Sequence, residues 1–294
     1  MNQKGIALIQ ILLITAILSV FALYLLSTAR GQVHIAQSLN DKSSALIELH
    51  NARAELLFRL LTEPKQYPIE NQRHDNDIVR QWNFHGQFFN INSHVEVAIQ
   101  DQAGLLLIEN IPTTTGSALL VNEGMEQHQA NSVVARLLDW QDVDSIARLN
   151  GQETGYPIRN GKVTYIGELQ RIPGVSDSVI SALRHSTTLY RYSNFNPLLA
   201  PSKLLTAYIG TNAQQIIDLR NEGTLTPALF KNITRIKETN NDSDEDVTFN
   251  FSYVINLNFK SIVGGSIVKQ YITLRYNPYV KGSVRPIDVL INRS

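Results

Sequence analysis

Acidic side chains gather in one short stretch of the chain, Asp139, Asp142, Asp144 and Glu153, just after a helical pattern ends at Trp140. Carboxylate oxygens are the hard ligands of Ca²⁺, which takes about six to eight of them in flexible geometry. The spacing is not that of an EF-hand, because no Gly stands at the sixth loop position. A solvated acidic loop, or an Asp that caps a helix N-terminus, explains the same residues without a metal. The residues alone leave all three interpretations open.

A second stretch resembles a nucleic-acid-binding module. Leu169 to Val175, followed by Ile180 and Leu183, has the pattern of a helix-hairpin-helix, in which a Gly-containing hairpin offers backbone N–H groups to a phosphate. Ser176 stands where the second hairpin Gly usually is, and the surrounding sequence is not strongly basic. The pattern therefore favours a tight turn between two packed helices.

The sequence lacks the common catalytic motifs. It contains no G-x-S-x-G, G-x-x-x-x-G-K-[ST], G-x-G-x-x-G or H-E-x-x-H, and its seven His are scattered. The absence of Cys excludes disulfides, thiolate metal sites and thiol nucleophiles. Because 26 basic residues balance 26 acidic ones, the chain has no bulk electrostatic attraction to nucleic acid or to anionic lipid. We expect a protein that is not an enzyme.

An apolar run precedes all of these candidates. Ile6 to Leu26 contains no charged residue, and as a helix it spans about 30 Å, the thickness of a hydrocarbon core. A cleaved secretory signal is the alternative, but it needs an apolar stretch of about 7–15 residues and a small-x-small cleavage site. This run is longer and continues directly into a helical pattern. The sequence therefore predicts a membrane anchor.

The helical pattern after the apolar run continues to Leu61, and Pro64 and Pro68 end it. We predict one helix from Ile6 to Leu61, whose second half lays an apolar stripe on a soluble domain; the alternative is two helices broken at Gly31. The stripe consists of residues at helical spacing: Ile35, Leu39, Leu46, Leu49, Leu56 and Leu60.

The rest of the chain has strand patterns at both ends and helical patterns between them. A first hairpin is predicted from residues 94–100 and 105–109, with its turn at residues 101–104. Helical patterns follow from residue 111 to residue 230, including one at 121–140, two short helices around Pro173-Gly174 and a pair that ends at Gly223. A polar loop at 231–246 precedes a second hairpin around Gly264-Gly265. This order predicts an α+β fold interrupted by an inserted helical domain.

The N-terminus resembles the signal of prepilins. In that class Lys4-Gly5-Ile6 followed by an apolar helix marks a site where a membrane peptidase cuts between Gly5 and Ile6 and methylates the new N-terminus at Ile6. The resemblance implies that residues 1–5 are lost. It also implies that the helix is kept, first as an anchor and then as the core of an assembly.

The acidic stretch narrows the resemblance. Leu137 to Asp144, followed by Gly151, Glu153 and Tyr156, resembles the L-x-D-W-x-D-x-D…G-x-E-x-x-Y stretch of the type II secretion system minor pseudopilin K family. Residues 101–104, 167–174 and 194–209 are also similar to that family, so the resemblance covers most of the chain. The family's helical domain is described as calcium-binding. The resemblance therefore makes calcium the expected metal, with these candidate ligands: Asp139, Asp142, Asp144 and Glu153.

Gln10 gains meaning from the same resemblance. It is the fifth residue after the predicted cut, where most pilins carry a Glu that is thought to pair with the N-terminus of a neighbouring subunit. A carboxylate in lipid costs roughly 2.5–3.5 kcal/mol unless it is paired. The K family resembles this chain in lacking that Glu, and its member is thought to cap the filament tip. A polar residue that simply faces other helices is the alternative.

The resemblance implies a full organisation. The expected parts are a cleaved leader (1–5), an N-terminal helix (6–61, transmembrane over 6–26) packed on a small antiparallel-sheet pseudopilin domain (62–110 and 231–294), and an inserted all-α domain (111–230).

The implied function is that of a minor pseudopilin at the tip of the type II secretion pseudopilus, held in the bacterial inner membrane with its soluble body in the periplasm. Expected partners are the other minor pseudopilins, the major pseudopilin, the inner-membrane assembly platform and the prepilin peptidase; nucleic acid is not expected. The alternatives are a membrane-tethered nucleic-acid-binding protein and a minor pilin of a related type IV pilus.

Overall fold

A computed structural model describes residues 4–72, 74–155, 157–189, 194–236, 247–276 and 287–293. Residues 1–3 of the predicted leader, Tyr156 of the acidic motif and residues 237–246 of the predicted polar loop lie outside the described residues.

The first helix, α1, runs unbroken over Lys4–Thr62, so a single helix was the correct prediction and a break at Gly31 is wrong. In the part of the chain that the structure describes, it is the one helix long and apolar enough to cross a membrane. The apolar side chains from Leu8 to Leu26 are exposed, as a lipid-facing helix requires. Within this span Thr15 and Ser19 donate their hydroxyls to carbonyls one turn earlier, at 2.9 and 2.8 Å, which satisfies them without water.

The second half of α1 packs on the sheet, but along a shorter stripe than predicted. Its buried residues fall at helical spacing: Ala45, Leu49, Ala52, Leu56 and Leu60. The prediction that Ile35, Leu39 and Leu46 pack on the soluble domain is wrong, since all three are exposed. Ile35 and Leu39 precede the point where α1 reaches the end of the sheet, near Asp41, whose carboxylate accepts a hydrogen bond from Gly265 N at 3.4 Å. Leu46 lies beyond that point but on the exposed face of the helix.

The remaining strands lie mostly near the two ends of the chain after α1, and most of the helices lie between them. The strands are β1 (His85–Asn90), β2 (Val95–Asp101), β3 (Leu106–Leu107), β4 (Thr187–Thr188), β5 (Val254–Val263), β6 (Ser266–Tyr276) and β7 (Ile287–Arg293). The helices are α2 (Pro68–Asn71), α3 (Asp77–Gln81), α4 (Thr113–Asn122), α5 (Gln127–Asp139), α6 (Asp177–Ser186), α7 (Ser202–Ile209), α8 (Ala213–Asn221) and α9 (Pro227–Thr234).

Five of the described strands form an antiparallel sheet in the order β1-β2-β5-β6-β7, which α1 covers through β5 and β6. The centre of the sheet is apolar on the side of α1: Val97 pairs with Phe259 across β2 and β5, and Leu257 pairs with Ile272 across β5 and β6. All four of these residues are buried. Burial of this face against Leu49, Leu56 and Leu60 holds the sheet to the helix.

One predicted hairpin is confirmed and the other is wrong. β5 and β6 meet at the predicted Gly264-Gly265 turn, where Gly264 has a φ of 56° that suits a two-residue hairpin. The first hairpin instead joins β1 to β2, with Phe88 opposite Ala98. Residues 101–104 do not reverse the chain, because the Asp101 carboxylate caps a 3₁₀ turn at Gln102–Gly104 and ends the strand. The chain then continues into β3, which pairs in parallel with β4.

Helices α4 to α9 lie between β2 and β5 in the sequence and share a second hydrophobic core. Its largest buried members include Leu120, Leu137, Trp140, Leu169 and Phe230. The helix predicted over 121–140 is wrong in its first turns, because α4 and α5 are separated by a turn in which Gly124 has a φ of 94°. The fold is therefore α+β, with a long N-terminal helix, an antiparallel sheet and inserted helices, as predicted. The boundaries at 110/111 and 230/231 stay predictions.

The fully buried Asp101 joins the two parts of the fold. It lies at the end of β2, and its carboxylate accepts hydrogen bonds from Ala103 N at 2.9 Å and from Ser252 Oγ at 2.6 Å. The Lys65 ammonium lies 3.3 Å from the same carboxylate and also donates to the Ser252 carbonyl. One side chain thus ties the point where the chain leaves the sheet to the point where it returns.

We expect Asp101→Ala to lower the free energy of unfolding by about 3–5 kcal/mol, because it leaves the Lys65 ammonium buried without its counter-charge. Glu96→Ala is the matched control in the same strand. Glu96 pairs with Lys260 at 2.7 Å on the partly exposed side of the sheet, and its loss should cost no more than about 1 kcal/mol. Denaturant unfolding of the full chain in detergent, followed by tryptophan fluorescence, measures both. Equal losses would contradict the role given to Asp101.

Candidate metal centre

Helix α5 delivers the first acidic residue of the candidate site. Its apolar residues Val133, Val134 and Leu137 are buried in the helical core, and Trp140 follows them into that core at the end of the helix. Trp140 donates its indole N–H to the buried Glu168 carboxylate at 3.5 Å. This packing fixes the end of α5, and with it Asp139, whose side chain is fully buried.

The Asp139 carboxylate organises the loop that follows it. It accepts hydrogen bonds from the backbone N–H of Gln152 at 2.9 Å and of Arg148 at 3.2 Å, and from the Arg148 guanidinium at 3.0 Å. Gly151 lies directly against it, since a Cβ at this position would be 1.9 Å from Asp139 Oδ2. The loop therefore closes around a buried carboxylate, and only glycine fits at the closest approach.

Three of the four predicted ligands come together. Asp139, Asp142 and Glu153 each bring one carboxylate oxygen within 4.8 Å of the others. Asp142 Oδ1 and Glu153 Oε1 are buried and accept no hydrogen bond from any residue that the structure describes. Partial burial, followed by the charges of Asp142, Asp139 and Asp144, raises the pKa of Glu153.

The composition of this cluster fits a divalent cation. Buried oxygens without donors are rare in folded proteins, and hard carboxylate oxygens are what Ca²⁺ binds. The three carboxylates carry three negative charges when ionised, and Arg148 supplies one positive charge, so two negative charges remain. The donor set and its residual charge therefore both match the expected metal.

The fourth predicted ligand, Asp144, lies apart from this group. It is exposed, and its Oδ1 accepts a hydrogen bond from Ile146 N at 2.8 Å, which shapes the outer part of the loop. Sequence reasoning missed Arg148, whose guanidinium donates to Asp139 and Asp142 at once. The sequence feature that could have indicated Arg148 is that it is the one basic residue between Asp139 and Glu153.

The hairpin at Pro173-Gly174 has the features of a tight turn. Gly174 has a φ of 89°, and the Arg136 guanidinium donates to the Pro173 carbonyl at 2.9 Å. Val175 N donates to Ile172 O at 3.1 Å, so this N–H is not offered to a phosphate. Asp177 stands in the first turn of α6, where its negative charge repels an anion. This arrangement favours the packed turn over a phosphate site.

The predicted processing residues lie near the N-terminus. Gly5 and Ile6 are in the first turn of α1, and Gln10 is exposed on the same helix between apolar neighbours. Ile6 and Gln10 thus belong to the predicted membrane span, and Gly5 directly precedes it on the same helix.

Comparison with known proteins identifies relatives of this chain. Residues 88–192, which include the whole acidic cluster, match the family model described as "Type II secretion system (T2SS), protein K". Two curated relatives align over 204 residues: a putative type II secretion system protein K of Escherichia coli K12, at 24% identity, and type II secretion system protein K of Klebsiella pneumoniae, at 26%. Each alignment covers 62% of this chain, which thus spans 61% of the length of the relative.

The fold has a counterpart among solved structures. A chain in the crystal structure of the GspK-GspI-GspJ complex from the enterotoxigenic Escherichia coli type 2 secretion system superposes with a TM-score of 0.51 at 14% identity. The match covers 90% of this chain and 98% of that one. At this identity the likeness supports the fold. Together these matches confirm the resemblance to protein K that the sequence predicted.

We expect Gly151→Ala to lower the free energy of unfolding by about 1–3 kcal/mol, because a methyl group there overlaps the Asp139 carboxylate and forces the loop outward. Gly265→Ala is the control, since a Cβ at Gly265 meets no atom within 4 Å. Its effect should stay within about 0.5 kcal/mol. Thermal or denaturant unfolding of both variants measures the difference, and a harmless Gly151→Ala would refute the close approach.

Proposed function

We propose that this chain, a relative of type II secretion system protein K, is a minor pseudopilin at the tip of a type II secretion pseudopilus. The observation that carries the proposal is the match of residues 88–192 to the protein K family in a chain that begins with one long apolar helix. Both curated relatives are named as type II secretion proteins, which favours that system over a related type IV pilus.

Helix α1 performs the assembly step in this proposal. Before assembly, its residues 6–26 lie in the bacterial inner membrane and the body of the protein lies in the periplasm. During assembly, the same apolar surface packs among the helices of neighbouring subunits. Gln10 offers no carboxylate to the N-terminus of a neighbour, so the chain fits the end of the filament, where such a pair is not formed.

The inserted helices supply the cap. They form a hydrophobic core of their own, separate from the core between the sheet and α1. At the tip, their bulk blocks the addition of further subunits and helps to start the filament that drives export of folded periplasmic proteins. The proposed role is structural, with no reaction catalysed by the chain itself.

The proposed partners follow from the same relationship. The relative of known structure is crystallised as a GspK-GspI-GspJ complex, which supports other minor pseudopilins as the partners of this chain at the tip. The major pseudopilin, the inner-membrane assembly platform and the prepilin peptidase complete the set.

Calcium is the metal of this proposal. Asp139, Asp142 and Glu153 would hold it, and Asp144 remains a candidate ligand in the outer loop. A bound divalent cation would neutralise the carboxylates that crowd each other there. Because Asp139 ends α5 and Glu153 lies in the loop that follows, the cation would hold this loop to the end of α5 and would stabilise the inserted helices.

Mass spectrometry of the N-terminus tests the pseudopilin proposal. In cells that contain a prepilin peptidase, we expect the chain to begin at Ile6 and to carry one methyl group on that residue. Gly5→Leu is the control, because it removes the residue that precedes the predicted cut and should leave the leader in place. An intact Met1 in the unaltered chain, or a cut after Leu26, would end the proposal.

A thermal melt tests calcium. At a free calcium concentration of 100 Kd, binding stabilises the folded state by about 2.7 kcal/mol, which raises the Tm by several degrees relative to excess chelator. Asp139→Asn, Asp142→Asn and Glu153→Gln should each reduce that shift, while Asp177→Asn, on the exposed first turn of α6, should not. A Tm that chelator leaves unchanged would count against a structural calcium ion.

A further inference from the structure

Arg148 occupies an unusual position within the acidic cluster. Its guanidinium Nη1 lies 3.0 Å from Asp139 Oδ1 and also donates to Asp142 Oδ2. It thus neutralises part of the charge that the proposed calcium ion would neutralise. The oxygens that it leaves without a donor are Asp142 Oδ1 and Glu153 Oε1.

We propose that Arg148 is a built-in competitor of the metal: it holds Asp139 and Asp142 when no ion is bound, and it thereby sets the affinity of the site. The proposal rests on the calcium site described above. In this proposal Arg148 stabilises the loop when no metal is bound, and it also raises the calcium concentration that is needed for an ion to bind.

Competition follows from simple electrostatics. A guanidinium and a divalent cation that share the same carboxylates repel each other at a few ångströms, and this repulsion is strong where water is partly excluded. The carboxylate oxygens bonded to the guanidinium are also less available as ligands. An ion that enters beside Asp142 Oδ1 and Glu153 Oε1 therefore weakens the contacts of Arg148, and Arg148 weakens the binding of the ion by the same factor.

The structure provides a place for the displaced guanidinium. Arg148 is 44% exposed and lines an open groove of about 550 Å³ between the loop and helices α4 and α5. Hydroxyl and amide side chains face this groove, among them Thr113, Thr114, Gln127 and Asn131. Among the described residues that line the groove, Arg148 is the one charged group. These neutral groups can accept hydrogen bonds from the guanidinium without trapping it in a second ion pair.

The loop does not need the guanidinium to keep its path. The backbone N–H groups of Arg148 and Gln152 donate to the Asp139 carboxylate at 3.2 and 2.9 Å, and these hydrogen bonds do not involve the guanidinium. The guanidinium can therefore move while the loop stays closed on Asp139. Because the backbone hydrogen bonds hold the loop and the guanidinium does not, a calcium ion can replace the guanidinium while the site stays folded.

Calorimetric titration of the full chain in detergent with calcium tests the proposal. Arg148→Gln removes the competing charge, and we expect the calcium Kd to fall about tenfold, within the usual range for coupled sites. The same variant should melt at a lower temperature than the unaltered chain in excess chelator. Arg148→Lys keeps the charge but places it on a more flexible stem without the rigid guanidinium, which weakens the contacts that Nη1 makes with both carboxylates, so its Kd should lie between the other two.

Arg220→Gln is the matched control. Arg220 is buried in the same group of helices but outside the acidic cluster, and its guanidinium donates to the Ala200 carbonyl at 2.6 Å and to Ser202 Oγ at 2.9 Å. Its loss should lower the melting temperature and leave the calcium Kd unchanged. This control separates a general loss of stability from a change at the site.

Each outcome decides between the two proposals. Calcium binding by the unaltered chain with an equal or weaker affinity in Arg148→Gln overturns the competitor role and leaves the calcium site standing. No binding by either chain overturns the calcium site itself, and the competitor role with it. Binding by Arg148→Gln alone supports both. If circular dichroism shows that Arg148→Gln is unfolded, Arg148→Lys decides, and a Kd equal to or above that of the unaltered chain overturns the competitor role.

Discussion

The buried carboxylate of Asp101 is the constraint on which the two-part architecture depends. Asp101 and Ser252 are 151 residues apart in sequence, yet the Asp101 carboxylate accepts hydrogen bonds from Ser252, and Lys65, three residues after the end of α1, pairs with the same carboxylate. Loop-closure entropy grows only slowly with length, so a long insertion costs little once its two ends are fixed. Asn196 reinforces the junction by donating to Asn250 O at 3.0 Å. The helices can therefore build their own core while the sheet stays intact.

Asp139 is also a buried carboxylate at the end of an element, but its surroundings differ from those of Asp101. Both residues end an element and use a buried carboxylate to accept backbone N–H groups from the chain that follows. Asp101 receives donors from Ala103, Ser252 and Lys65, so both of its carboxylate oxygens have a partner within the fold. The cluster at Asp139 keeps two buried oxygens without donors. That difference in hydrogen bonding, rather than the number of acidic residues, separates a structural junction from a candidate metal centre.

Sequence predicted what depends on local pattern and missed what depends on the packing of distant parts. The apolar run of α1 and the turn at Gly264-Gly265 are local signals, and both were read correctly. The turn at residues 101–104 was assigned to a hairpin, because its partner Ser252 is remote in the sequence. The acidic side chains and the motif in which they occur were enough to predict that Asp139, Asp142 and Glu153 belong to one site. The contact of Arg148 with that group required the three-dimensional path of the loop.

The error over Ile35 and Leu39 carries information about assembly. A hydrocarbon core of about 30 Å accounts for roughly 20 residues of helix, so an apolar span that begins near Ile6 ends near Leu26. Val33, Ile35 and Leu39 lie beyond that end and before the point where the sheet begins to cover α1, and all three are exposed. Neither lipid nor the chain's own body buries them. In the proposed filament, the helices of neighbouring subunits cover this stretch, and burying it favours packing into the filament over the free membrane-anchored state.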